Sequence, residues 1–248
     1  MSATPERSPP SSRALTVVGA VVLGLVGLLA GFVAATLVFS LVVAFDPSLE
    51  QNRPLQGAIS TIGMGIGLVS VAAFYLERNG LSWSYLRVRR PTFRDLGWAV
   101  GVTVALFAAL VVVDQLGLAA SEHSIAEEAE QDPTILLPLI PLAILVTGPA
   151  EELLYRGVIQ TRLREVFDTA AAVVIAAAIF SIVHVPAYGA TGGLDASLFI
   201  TLGILFLLGS FLGYAYERTD NLVVPAVAHG LFNAVMYGGN YLSSMSLV

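Results

Sequence analysis

An all-α polytopic transmembrane bundle of about seven spans is the fold class this sequence predicts, from long apolar runs, scarce charge and arginines confined to alternate loops. Hydrophobic residues make up 56% of the 248 and charged residues 12%, with a mean hydropathy of +0.81. Soluble domains carry about 25% charged residues, so the bilayer is the solvent that fits this composition. There are no cysteines, which excludes disulfides, thiolate nucleophiles, CxxC zinc sites and cysteine-ligated iron–sulfur clusters. Chemistry is left to His, Asp, Glu, Ser and Tyr. The net charge of -6 and the use of arginine as the sole strong base do not bear on mechanism.

The first stretch, Met1 to Arg13, is rich in Ser and Pro and reads as a short disordered cytoplasmic tail. Ala14 to Phe45 is far longer than a signal-peptide core and has no small-residue cleavage site, so it is predicted to stay as the first helix. Further spans are predicted at about 55–76, 96–117, 134–160, 169–187, 196–215 and 222–243. Arginine supplies the orientation, because short arginine-rich loops are retained in the cytoplasm. Arg7 and Arg13, then Arg78, Arg87, Arg89, Arg90 and Arg94, then Arg162 and Arg164, then Arg218 fall on one side, and only Arg53 on the other. This predicts the N-terminus inside and the C-terminus outside, with the acidic stretch Glu122 to Asp132 also outside. Leu81 to Arg94 mixes Trp83, Tyr85 and Leu86 with arginines, which suits a chain on the anionic inner leaflet or an ordinary basic loop, and gives no support to nucleic-acid binding. The organisation expected is a tail over 1–13, N-terminal helices and a basic interfacial loop over 14–94, and a membrane domain over 95–243 that carries the chemistry.

An ionisable side chain inside a span costs about 2.5–3.5 kcal/mol on insertion scales, so each needs a partner or a function. Span four holds Glu151, Glu152 and Arg156, span five ends at His184, and span seven holds His229 and Asn233; Asp114 fits a simple interfacial position. In TGPAEELLYRG, Pro149 disfavours helix at Gly148 and predicts a kink or restart. Glu152 and Arg156 stand at i, i+4 and can pair, leaving Glu151 about 100° away round the helix and free to aim elsewhere. A plainer reading puts both glutamates in the favoured first turn of a restarted helix. His184 follows Phe180 by four residues in FSIVH, and His229 precedes Asn233 by four in HGLFN; each also suits a purely structural role, such as gluing helices together. Counting helical rise from the nearest cytoplasmic charge puts Glu151 about 16 Å deep, His184 about 24 Å and His229 about 13 Å, so a common site demands tilt or a kink.

In this order EELLYR, FSIVH and HGLFN resemble the EExxxR, FxxxH and HxxxN motifs of the CPBP family of CAAX prenyl proteases and bacteriocin-processing proteins, also called Abi. The likeness covers about residues 95–240 and includes the RRPTFRDLG segment that precedes the conserved half. It implies a CAAX-protease-like core and an intramembrane endopeptidase in the cell membrane. By the same likeness Glu151 would activate water, His184 would help to position it, and His229 and Asn233 would donate to the oxyanion, with Glu152 and Arg156 in support. Zinc is a possible cofactor, since His184 and His229 with one carboxylate supply the three protein ligands of a catalytic site. The partners implied are the bilayer and a membrane protein or lipidated peptide substrate, with a CAAX-like target among the options. Two other classes remain open: a non-catalytic membrane binding or immunity module, and a proton-coupled transporter, although no internal repeat of the inverted-repeat kind is visible.

Overall fold

The computed structural model describes residues 10–121, 123–188 and 195–245, and among them every regular element is helical. The long helices are α1 (Pro10–Phe45), α2 (Arg53–Arg78), α3 (Phe93–Gln115), then α5 (Pro133–Arg164), α6 (Thr169–Val183), α8 (Ala196–Thr219) and α9 (Val223–Met245); α4 (Ser124–Gln131) and α7 (Val185–Tyr188) are short. By length and composition α1, α2, α3, α5 and α8 can cross a membrane. At 15 residues α6 is shorter than a full span, and in α9 the side chains of His229, Asn233 and Asn240 dilute the apolar run. Helix α1 begins at Pro10, inside the stretch predicted as a tail, whose first nine residues lie outside the described ones.

Local chemistry fixes several helix starts. Asn52, Thr92, Asp168 and Asp195 each accept a backbone N–H of the turn they cap, and Thr92 with Asp95 forms a reciprocal capping box at α3. Replacing Thr92 by Ala is expected to cost about 1 kcal/mol, read as a lower melting temperature in detergent.

Loop contacts sort the bundle into two ends. At one end Arg87 binds Glu217 and Asp220, both at 3.1 Å, Arg164 reaches Glu217 at 3.4 Å, and Tyr85 donates to Glu165 at 2.9 Å. At the other, Arg53 donates to Gln131 at 3.1 Å, Ser121 bonds Ser197 at 2.7 Å, and the His123 ring meets Tyr188 edge-on at 4.9 Å. Successive long helices therefore run in alternate directions, and the arginine-rich loops share one end. The segment 81–94 is more than a surface loop. Leu86 is fully buried, Arg87 turns the chain in a left-handed conformation (φ 52°), and its guanidinium sits 3.8 Å from the Tyr216 ring centre. This ties the segment into α5 and α8, while Trp83, Val88 and Phe93 stay exposed.

Candidate active site

The site is built on the irregular backbone of α5. Its regular turns give way to π-helix over Ala143–Thr147, return over Gly148–Glu152, and widen again over Leu153–Gln160. Regular turns restart at Gly148, as Pro149 predicts, but the chain stays helical through the change: Gly148 keeps helical angles of φ −54° and ψ −55°. Two features remove the conflict. Gly148 has no Cβ to meet the proline ring, and the Leu145 carbonyl that the ring would strike lies in the wide π turn.

Gly148 also sets how closely α9 approaches. A Cβ there would lie 2.5 Å from the Ala226 carbonyl oxygen, and one at Gly230 would lie 2.7 Å from the Ile144 Cα. The two backbones cross in near contact, and His229 arrives beside Glu152. Gly230→Val is expected to push the helices apart at about 1–3 kcal/mol, with a lower melting temperature and lost activity as the measured result.

Below the crossing lies a fully buried polar stripe. Glu152 and Arg156, with side chains 0% and 1% exposed, pair at 2.6 Å as the i, i+4 spacing predicts. His229 Nδ1 lies 2.9 Å from the same carboxylate oxygen, a second partner for Glu152 that the sequence reading did not foresee. An ionised carboxylate only accepts, so His229 holds a proton on Nδ1 and its Nε2 is left for other work. The other end of Arg156 donates to the Gly209 carbonyl at 3.1 Å, and one step on Gln160 donates to Gly213 O at 3.0 Å and to Glu217 at 2.9 Å. Gln160 was missed from the sequence, although it continues the four-residue spacing of Glu152 and Arg156. Those extra hydrogen bonds offset the desolvation that makes a buried ion pair expensive.

Beside this stripe stand Glu151 and His184, with side chains 16% and 20% exposed. His184 Nδ1 is 2.7 Å from the Phe180 carbonyl oxygen, which can only accept, so the proton sits on Nδ1. Its Nε2 is directed to Glu151 Oε2 at 3.7 Å, and that oxygen has no hydrogen bond among the described residues. Phe180 joins the two groups. Its ring centre is 4.4 Å from His184, 5.9 Å from His229 and 4.5 Å from the Arg156 guanidinium. Asn233 lies one turn beyond His229 on α9, partly buried. The structure thus gathers residues that the linear depth count separates, because that count treats every helix as straight, upright and starting from one plane.

Residues 133–235 match the family model described as Type II CAAX prenyl endopeptidase Rce1-like, a stretch that contains EELLYR, FSIVH and HGLFN. Over that stretch the chain is similar to the CAAX-protease (CPBP) family. No curated protein and no solved structure matches it. The matched part runs from α5 into α9, while α1, α2 and α3 lie outside it.

The residues gathered here do not form a zinc ligand set. Among the described residues no three His, Asp or Glu side chains are gathered to hold a metal ion. Glu152 is committed to Arg156 and His229. A third histidine stands nearby, unforeseen because it lies in a loop 28 residues from Glu151, too far for any periodicity to reveal. His123 accepts the Ile125 N–H at 3.0 Å, and burial, helped by His184, pushes its pKa down to about 4, so it is neutral at pH 7.

Proposed function

We propose that this chain is an intramembrane endopeptidase of the cell membrane that hydrolyses a peptide bond in a membrane-associated protein, lipidated or CAAX-like, with water activated by Glu151. One observation carries the reading: the partner-free Glu151 oxygen and His184 Nε2 stand 3.7 Å apart. That is too long for a direct hydrogen bond and suits one water bonded to both. Glu151 takes a proton from this water and the hydroxide oxygen bonds to the carbonyl carbon. The carbonyl oxygen becomes an oxyanion, stabilised by hydrogen bonds from His229 through Nε2 and from Asn233 through its amide. Collapse breaks the C–N bond, and the proton held by Glu151 passes to the leaving nitrogen, giving a new carboxylate and a new amine. Glu152 and Arg156 hold His229 and α5 in position and do not touch the reacting atoms.

The test compares protein termini in membranes of cells lacking this gene, complemented with wild type or Glu151→Gln at matched expression. New termini that form only with wild type support the reading and identify the substrates. Matching profiles across well-covered membrane proteins would overturn it and favour the binding or immunity module.

A further inference from the structure

Helices α3 and α8 pack through buried Val102, Leu106, Leu208 and Leu212, and beside that contact their surfaces part. The gap is a groove of about 510 Å³ lined by Arg94, Trp98, Ala105, Phe211 and Tyr214, with Gly97 and Gly101 where larger side chains would fill it. A Cβ at either glycine would meet nothing within 4 Å. Arg94 is the charged residue of this lining, and the rest is apolar or aromatic. From Arg94 to Ala105 the groove follows α3 for about 16 Å, at about 1.5 Å per residue. In a hydrocarbon core about 30 Å thick, that is the depth of one leaflet.

Phe211 and Tyr214 form a ridge. Across it lies a second apolar groove, of about 460 Å³, between α6 and α8, lined by Val173, Val174 and Leu207. Both grooves reach the arginine-rich end, one at Arg94 and the other at Thr169, where α6 begins. Positive charge is in surplus beside the first. The Arg218 guanidinium lies 5.9 Å from the centre of the Tyr214 ring, on the wall of that groove. Among the described residues neither Arg94 nor Arg218 forms an ion pair, and the acids nearest them in the chain are held elsewhere: Asp95 by Arg89, Glu217 by Arg87 and Arg164, and Asp220 by Arg87. Asp168 stands beside the second groove, so an anion belongs at the first. Exposed Trp83, at the same end, suits the headgroup level.

We propose that this surface binds one anionic phospholipid of the leaflet at the arginine-rich end, with its phosphate at Arg94 and Arg218 and its two acyl chains on either side of the Phe211–Tyr214 ridge. Two apolar grooves of similar size that share a wall match the two chains of one lipid. Guanidinium groups without a carboxylate partner match its phosphate. The site does not rest on the endopeptidase reading, and α3, which supplies one wall, lies outside the stretch matched by the family model.

The chain has two tryptophans, so Trp83→Phe leaves Trp98, in the groove, as the sole reporter. In that background the full-length protein is reconstituted into vesicles of phosphatidylcholine and phosphatidylglycerol, with bromine on the acyl chains of one lipid at a time. Quenching of Trp98 then gives the relative affinity of the two lipids at this site. A preference for phosphatidylglycerol of about 5-fold or more is expected, the effect of one arginine near an anionic lipid. Arg94→Gln with Arg218→Gln should bring the ratio to one, while inorganic phosphate at constant ionic strength should leave the preference intact. Gly101→Leu keeps both arginines and fills the groove, and should weaken quenching by both lipids. Equal quenching by the two lipids before the arginines are replaced, or a preference that survives their loss, would overturn the proposal. So would displacement by inorganic phosphate, or undiminished quenching in Gly101→Leu.

Discussion

Glu151→Gln is expected to lower the rate of peptide hydrolysis by about 10²–10⁴-fold, the range that a positioned general base contributes, while the protein keeps its fold. Gln matches Glu in shape, and the carboxylate it replaces has one weak neighbour, His184 Nε2 at 3.7 Å, and an oxygen without a partner among the described residues. Little is lost from the ground state, so the melting temperature in detergent should stay near wild type while new termini vanish from the membrane fraction. Substrate capture should survive, because no group that holds the peptide is removed, and the loss should fall on kcat rather than KM. A variant that retains wild-type turnover would remove Glu151 from the mechanism.

The largest effect on stability is expected at Arg156. Its guanidinium is 1% exposed, pairs with Glu152 at 2.6 Å, donates to Gly209 O at 3.1 Å and lies over Phe180. Arg156→Met fills much of the same volume and leaves Glu152 buried with His229 alone. Breaking one side of a buried pair costs about 3–5 kcal/mol, read as a large fall in the unfolding midpoint in detergent. Glu152→Gln in the same chain should recover part of that loss, by about 0.5–3 kcal/mol of coupling. Arg156→Lys should lie between, since a single ammonium cannot reach the carboxylate and the Gly209 carbonyl in the same fork geometry. Full stability of Arg156→Met would mean that the stripe is incidental to the fold.

The helical class and the positions of the long helices were legible because apolar runs are local signals, although five of the seven predicted spans are long and apolar enough to cross a membrane. The Glu152–Arg156 pair was legible for the same reason, as both side chains lie on one face of one helix. His229 reaching Glu152 was not, since the two are separated by 77 positions and meet only where Gly148 and Gly230 let two backbones touch. The restart at Pro149 was legible, whereas Gly148 stays helical for a physical reason: the rule against helix before proline assumes a Cβ and an ordinary turn, and this site has neither. The segment 81–94 hid its role because Leu86 and Arg87 do their work through Tyr216 and Glu217, far along the chain. The zinc option stayed open in the sequence because residue types alone do not show which side chains the fold gathers, and among the described residues no three ligands meet.

The order in which the stripe acquires its partners constrains how the chain can be made. When α5 leaves the ribosome it carries Glu151, Glu152 and Arg156 into the bilayer with only their own pairing for company. The Gly209 and Gly213 carbonyls come 53 residues after the side chains they receive, and His229 comes 77 residues after Glu152. Until α9 is inserted, a charged helix waits in lipid half-satisfied. A nascent protein stalled before Val223 therefore displays an unfinished polar seam, the kind of signal by which membrane quality control can tell incomplete chains from finished ones.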